Sequence, residues 1–261
     1  MSKTLILIPS RLSATRLPGK PLLEINGIPM ILHVVNKALS TKIGRVIVAT
    51  EDKEIFEVVK ESGNEALMTW SHHNTGTDRI YEALTKLKLH ETEYIINLQG
   101  DEPLVNPEDI INLNHLVVKS NCELGTMASK LKKKEDIENQ NIVKVTTEKE
   151  LTKNNLIKAS NFVRKIDISN QINFYHHIGI YQFKVSTLKQ FVMLPQSINE
   201  KKNNLEQLRA LDNEININVV LAGSQFKGVD TKEDYLDMKK IMEYNKIWKF
   251  YIKGFQVLTL I

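Results

Sequence analysis

Apolar residues gather in short unbroken runs at Leu5–Ile8, Val46–Ala49 and Tyr94–Leu98, separated by stretches whose apolar positions recur at helical spacing. Short β-branched runs alternating with amphipathic helices are the pattern of an α/β domain with strands buried on both faces of a parallel sheet. Helices are expected over Met30–Leu39, over Glu54–Glu61 with Gly63 as the stop, over Asp78–Leu87, and over Pro107–Val118 with Pro107 at the first helical position. In such sheets ligands bind beyond the carboxyl ends of the strands. The loops Ser10–Lys20, Thr50-Glu51-Asp52 and Gln99–Pro103 should therefore share one rim.

Past about Lys130 the alternation weakens. Strands at Ile142–Thr146, Leu156–Ala159 and Ile178–Phe183 are separated by Lys- and Asn-rich connections, as in an inserted subdomain over about 131–200. A helix near Leu205–Leu211, a strand at Ile215–Leu221 and a helix from Lys232 to about Glu243 restore the order. The expected organisation is one domain over 1–245, followed by an extension at 246–261. That extension carries Trp248, Phe250, Tyr251 and Phe255, is too short and interrupted for a membrane span, and suits packing against the body or a partner subunit.

Composition narrows the function classes. The 261 residues, 42% of them hydrophobic, suffice for a sizeable core, and the net charge of +4 comes from basic residues mostly interspersed with acids. No continuous track for nucleic acid is indicated. The single cysteine, Cys122, rules out internal disulfides and lacks the neighbours of a reactive thiol. The chain opens directly into a strand, without the basic start, apolar run and cleavage site of a secretory signal, so a cytoplasmic protein is expected.

Candidate chemistry begins at the first strand, which runs into RLSATRLPGKP with Pro9 expected to end the ladder. Arg11, Arg16 and Lys20 and the free amides of small residues could gather a polyphosphate there. Gly19-Lys20 is followed by Pro21 and Leu22 rather than Ser or Thr, so this is no Walker loop. Asp101, in QGDEP after a strand, and Asp230, in GVDT before a helix, have the chemistry of a Mg²⁺ pair completed by water and phosphate oxygens. Taken singly, Asp230 reads equally as a helix cap and Asp101 as a turn residue. Thr75, Gly76 and Thr77 fall at a helix start suited to anions or a base, with Arg79 one turn on. His72 and His73 lack a third ligand at zinc spacing. His177 and Tyr181 share one face of their strand.

In order along the chain, RLSATRLPGKPL (Arg11–Leu22), NTGTDR (Asn74–Arg79), QGDEP, HIGIY (His177–Tyr181), LEQLR (Leu205–Arg209) and GVDT resemble the motifs of the 3-deoxy-manno-octulosonate cytidylyltransferases, over about residues 3 to 243. The resemblance implies a Rossmann-like nucleotidyltransferase fold with a mostly parallel central sheet flanked by helices, and a homodimer joined largely through the inserted segment. It also implies transfer of CMP from CTP to the anomeric hydroxyl of an eight-carbon sugar acid for lipopolysaccharide biosynthesis. Carried over by position, Arg11 and Lys20 hold the phosphates, Thr75, Gly76 and Thr77 the cytidine, and Arg16 and Arg79 face the phosphate and sugar-acid region. Gln99, His177, Tyr181, Glu206 and Gln207 would line the sugar pocket, and Asp101 with Asp230 would hold Mg²⁺. Two rival readings stand beside this one: a cytidylyltransferase for another acidic sugar, such as an amino-substituted octulosonate or a nonulosonate, and a non-catalytic nucleotide-binding module. One departure bears on the first, because Ser160-Asn161-Phe162 stands where the family has Ser-Arg-Ala, with Arg164 the nearest arginine.

Overall fold

A computed structural model describes residues 3–13, 16–131, 133–166, 173–223 and 228–243. The first strand, β1 (Thr4–Ser10), is buried along its whole length, and its side chains divide between two cores. Leu5 and Leu7 join Ile47, Ile80, Ala83 and Phe191 on one face, while Ile6 and Ile8 join Ile31, Val34, Ile110 and Leu113 on the other. Period-two alternation thus makes one apolar run serve both layers, each fully buried side chain contributing about 1.5–3 kcal/mol on leaving water.

The first half follows the expected βα order: α1 (Met30–Ser40), β4 (Val46–Thr50), α2 (Lys53–Glu61), β5 (Glu65–Met68), α3 (Gly76–Leu87), β6 (Tyr94–Asn97) and α4 (Pro107–Lys119), with a small hairpin of β2 (Glu24–Ile25) and β3 (Ile28–Pro29) before α1. Helix ends obey their local chemistry. Asn106 accepts the Glu108 N–H at 3.1 Å with Pro107 next to it, as expected, and Gly63 ends α2 with φ +78° and its N–H on Lys60 O at 3.0 Å.

The second half adds β7 (Leu124–Ser129), α5 (Lys134–Glu138), β8 (Lys144–Thr147), β9 (Ile157–Val163), β10 (Phe174–Lys184), α6 (Val185–Met193), α7 (Ile198–Asn203), α8 (Leu208–Asp212) and β11 (Ile217–Leu221), and a helix over 232–243. Nine strands form one sheet in the order β5-β4-β1-β6-β10-β7-β11-β9-β8. Strands β5, β4, β1 and β6 are mutually parallel, β7 pairs parallel with β11, and β10 runs antiparallel between β6 and β7. Of the 131–200 segment, β10 therefore occupies the middle of the sheet and β8 and β9 its far end. Because β10 also pairs with β8, the strands β10, β7, β11, β9 and β8 close a ring. Opposite Thr126, β10 shifts register between Ile178 and Tyr181, a bulge that re-aims the Gly179 carbonyl.

Pro9 does not end β1; it pairs in register with Ala49. The Leu7 carbonyl accepts the Leu98 N–H on the β6 side, so Pro9, two residues on, turns its missing N–H to that same side, past the end of β6. The 246–261 extension lies outside the described residues. No helix among the described residues is long and apolar enough to cross a membrane.

Candidate active site

The carboxyl ends of β1 and β6 open onto a cavity of about 320 Å³ whose walls include Ser10, Arg11, Arg16, Lys20, His73, Thr75, Gly76, Arg79, Gln99, Asp101 and Asp230. Its phosphate-side loop is closed by a backbone bond from Gly19 N–H to Leu12 O at 3.1 Å, which makes neighbours of Arg11 and Lys20. Gly19 has φ +70°, a conformation that a side chain would strain. The following turn, Lys20–Leu22, points Lys20 inward: its Nζ lies 2.5 Å from Asp101 Oδ2 and 3.4 Å from Asp230 Oδ1. Arg16 reaches the other Asp230 oxygen at 3.0 Å. Val229 N–H donates to Asp101 O at 3.0 Å, so backbone pairing fixes the GVDT segment against QGDEP. The two aspartates thus meet as expected. Asp230 does not cap the final helix; Thr231 does, its Oγ1 accepting the Asp234 N–H at 3.1 Å while Asp234 Oδ2 accepts the Thr231 N–H at 3.0 Å. Beside them Glu102 is pushed up to about 8 by burial and by the charges of Asp101 and Asp230, against the pull of Lys20. Its carboxyl is therefore mostly protonated at neutral pH.

The opposite wall is the start of α3. Thr75 accepts the Asp78 N–H at 3.1 Å, and Gly76 comes so close to β1 that a Cβ would lie 3.1 Å from Pro9 Cγ. Arg79 departs from the expected role. It borders the cavity, but its guanidinium is buried and donates to Glu51 Oε2 at 2.6 Å, Thr69 Oγ1 at 2.6 Å and Trp70 O at 3.4 Å. A buried arginine completes its fork internally, because leaving a desolvated charge unpaired is costly. His73, which the sequence offered only as a poor zinc ligand, lines the cavity and pairs with Glu82. Burial alone would raise the Glu82 carboxyl, yet His73, Lys86 and the Trp70 N–H together hold it down at about 2.

The expected sugar-side residues divide. Gln99 lines the cavity and donates to the Gly179 carbonyl exposed by the bulge, at 3.3 Å. His177, Tyr181, Glu206 and Gln207 are absent from the cavity wall, as is Thr77, which was expected against the cytidine; Thr77, His177 and Gln207 are buried behind it, and Tyr181 and Glu206 half-buried. Thr77 Oγ1 donates to Glu206 Oε2 at 2.9 Å, and Glu206 is raised by burial against the opposing pull of the Thr75 and Thr77 hydroxyls. Tyr181 stacks at 5.4 Å on His177, whose ring meets Phe162 edge-on at 4.9 Å. Burial raises the Tyr181 phenol well above 10, and burial with the His176 charge lowers His177 to about 3, so His177 is neutral. Its Nε2 lies 3.1 Å from Thr126 Oγ1, whose own proton serves the carbonyls of Ile178 and Ile180 at 3.1 and 2.8 Å. The hydroxyl therefore accepts from Nε2–H. Gln207 is buried at the N-cap of α8. Arg209 forks onto Glu200 at 2.8 and 2.6 Å.

Comparison with known proteins agrees with this geometry. The Cytidylyltransferase family model matches residues 5–217. The 3-deoxy-manno-octulosonate cytidylyltransferase of Rhodopseudomonas palustris (strain BisB5) is 44% identical over 88% of this chain and 94% of its own length. The chain belongs to the 3-deoxy-manno-octulosonate cytidylyltransferase family. It is thus a nucleotidyltransferase. The Brucella ovis protein of the same name is 41% identical over 89% of this chain and 92% of its own. The solved structure of a CMP:2-keto-3-deoxy-manno-octonic acid synthetase complexed with CTP superposes with a TM-score of 0.84 at 33% identity, covering 94% of this chain and 100% of that one. A cytidylyltransferase from Leptospira borgpetersenii, at 17% identity and a TM-score of 0.61, shares the fold.

The Asn-for-Arg departure at Asn161 also has a structural description. Asn161, on β9, turns its Oδ1 to the Phe162 N–H at 2.8 Å. Arg164 spends its guanidinium on the carbonyls of Gln140, Asn203 and Asn204 at 3.2–3.3 Å and does not substitute for the missing arginine.

Proposed function

We propose that this cavity carries the family's transfer of CMP from CTP to 3-deoxy-manno-octulosonate with the residues named above. The observation that supports it most is the meeting of Asp101 and Asp230, from opposite ends of the domain, on the ammonium of Lys20 inside a loop of further cations. Arg11 and Lys20 bind the triphosphate, with Arg16 free to leave Asp230 for a more highly charged partner. Thr75 and Gly76 form the surface against which the cytidine rests, where glycine admits a base closely and helix amides face the ligand, while Thr77 stands behind it on Glu206. Gln99 and the Glu206 cluster behind it supply hydrogen bonds for the sugar acid.

The sugar's anomeric oxygen attacks the α-phosphorus of CTP in line with the bond to the β-phosphate. A P–O bond forms as that bond breaks, pyrophosphate leaves with the electron pair, and the hydroxyl proton passes to water. Lys20 and Arg11 offset the charge that grows on the departing pyrophosphate, so their work is positioning and electrostatic stabilisation. No covalent intermediate with the protein is required.

The donor set fits a divalent cation. Two carboxylates reach one cationic atom, and Mg²⁺ is commonly held by one or two carboxylates with water and substrate phosphate oxygens. When bound by Asp101 and Asp230, Mg²⁺ would polarise the phosphate and acidify the attacking hydroxyl. The same reading makes the chain a cytoplasmic homodimer whose contacts come largely from 131–200, where Met193 and Ile198 are 71 and 85% exposed. Sedimentation at micromolar concentration should show twice the chain mass.

The deciding experiment is pyrophosphate release from CTP with a panel of sugar acids, with and without Mg²⁺. Release with 3-deoxy-manno-octulosonate that disappears with a chelator is expected. Preference for an amino-substituted octulosonate or a nonulosonate would reassign the substrate, and CTP binding without turnover on any acid would leave only a nucleotide-binding module.

A further inference from the structure

We infer that Asp52 is a positioning residue for the nucleotide site, setting the phosphate loop from the neighbouring strand. Asp52 stands at the N-cap of α2 with extended backbone, where an aspartate ordinarily accepts a helix N–H, yet its side chain makes no cap bond. The carboxylate instead accepts the Leu12 N–H, Oδ2 to N at 2.7 Å, across from β4 to the loop after β1.

Leu12 is the hinge point of that loop. Its carbonyl takes the Gly19 N–H, so this one residue is bonded both to Asp52 and to the far end of the turn that brings Arg11 and Lys20 together. Asp52 fixes this pinned pair to the sheet. The preceding residue performs the matching task on the other wall, because Glu51 takes the Arg79 fork in the first turns of α3 at 2.6 Å. The turn after β4 is thereby bonded to the triphosphate side through Asp52 and to the cytidine side through Glu51. Near a bound triphosphate a second negative charge is unfavourable, so the acceptor atom and not the charge is what the site requires.

The inference rests on the proposed placement of CTP, and the test separates the two. Steady-state kinetics are measured for the native protein, Asp52→Ala and Asp52→Asn, varying CTP and the sugar acid independently. Asp52→Ala should raise KM for CTP about tenfold, the factor of one hydrogen bond to a charged acceptor, with KM for the sugar acid unchanged. Asp52→Asn keeps an oxygen acceptor and should stay within about threefold of native, and no general loss of stability produces that split and rescue. Equal KM for CTP in Asp52→Ala and native protein overturns the inference, as does an Asn variant as impaired as the Ala variant. Should Asp52→Ala fail to fold, amide hydrogen exchange on the native protein decides. The Leu12 and Gly19 amides must be protected before CTP is added, and free exchange at Leu12 refutes the pin. Failure of the native protein to consume CTP with any sugar acid counts against the proposed function instead.

Discussion

On the phosphate side of the cavity the side chains of Asp101, Asp230 and Arg16 are 30, 50 and 60% exposed around a Lys20 that is 12% exposed, whereas on the sugar side Thr77, His177 and Gln207 are buried and Glu206 half-buried. Half-exposed ion pairs contribute little to stability, about 0–1 kcal/mol each, and can exchange partners with little loss. Under the proposed function, Lys20 and Arg16 would leave Asp101 and Asp230 for the phosphates. Buried hydrogen bonds such as Thr77 to Glu206 are expensive to break, since each orphaned group forfeits its solvation. One wall is adjustable by exchange of charge; the other is rigid and selects by the hydrogen bonds it offers.

The sharpest way to break this contrast is to remove a charge from the adjustable wall. Asp101→Ala should lower the rate of CMP transfer by about 10³-fold while the melting temperature stays near native, because Lys20 keeps Asp230 as its partner. Near-native turnover would take Asp101 out of the chemistry. Next comes the anchor shared by both walls. Arg79→Ala leaves the Glu51 carboxylate, 13% exposed, without its partner and should cost about 3–5 kcal/mol in chemical denaturation. Removing Glu51 as well should recover part of that loss.

A smaller effect tests the rigid wall itself. Thr77→Val removes the donor to Glu206 and should raise KM for the sugar acid about tenfold with KM for CTP little changed. A change confined to CTP would merge the two walls into one. The last test is a slope. His177, lowered to about 3 in the folded state from 6.5, stays neutral while the unfolded chain takes up a proton, so stability rises with pH across that window. Acidification between pH 6.5 and 3 should cost up to about 1.4 kcal/mol per unit through this group, and His177→Gln should flatten that limb in denaturation curves.

Much of this contrast was readable in the chain. Periodicity announced α1, β4 and α4 to within a residue at each end and α3 to within two, whereas β1 runs on through Pro9 to Ser10, and the QGDEP and GVDT segments lie side by side. Other elements hid for identifiable reasons. Strand β5, EALM, carries no β-branched residue and lies at the sheet edge; β7, LGTMAS, is built of small residues. A Cβ at Gly125 would come within 2.4 Å of Val117, so this glycine marks close packing of α4 where the sequence suggests a break. Helix α8 begins at Leu208, three residues later than its apolar pattern suggests, and strand β11 at Ile217 rather than Ile215. The pairing of Arg79 with Glu51 and the diversion of Asp52 to Leu12 were not legible, since each joins segments whose contact exists only once β1, β4 and α3 have packed. Sequence showed Arg79 at the rim but not which way its charge turned.

The reversed strand β10 has one more consequence, for synthesis of the chain. Until residue 184 has left the ribosome, β6 carries a row of unpaired amides and carbonyls on the side that β10 will cover. An uncovered strand edge recruits other edges. A nascent chain halted near residue 130 would hold the three cations of the phosphate loop and Asp101, yet it would be a sticky fragment, because the seam closes only when β10 inserts between β6 and β7.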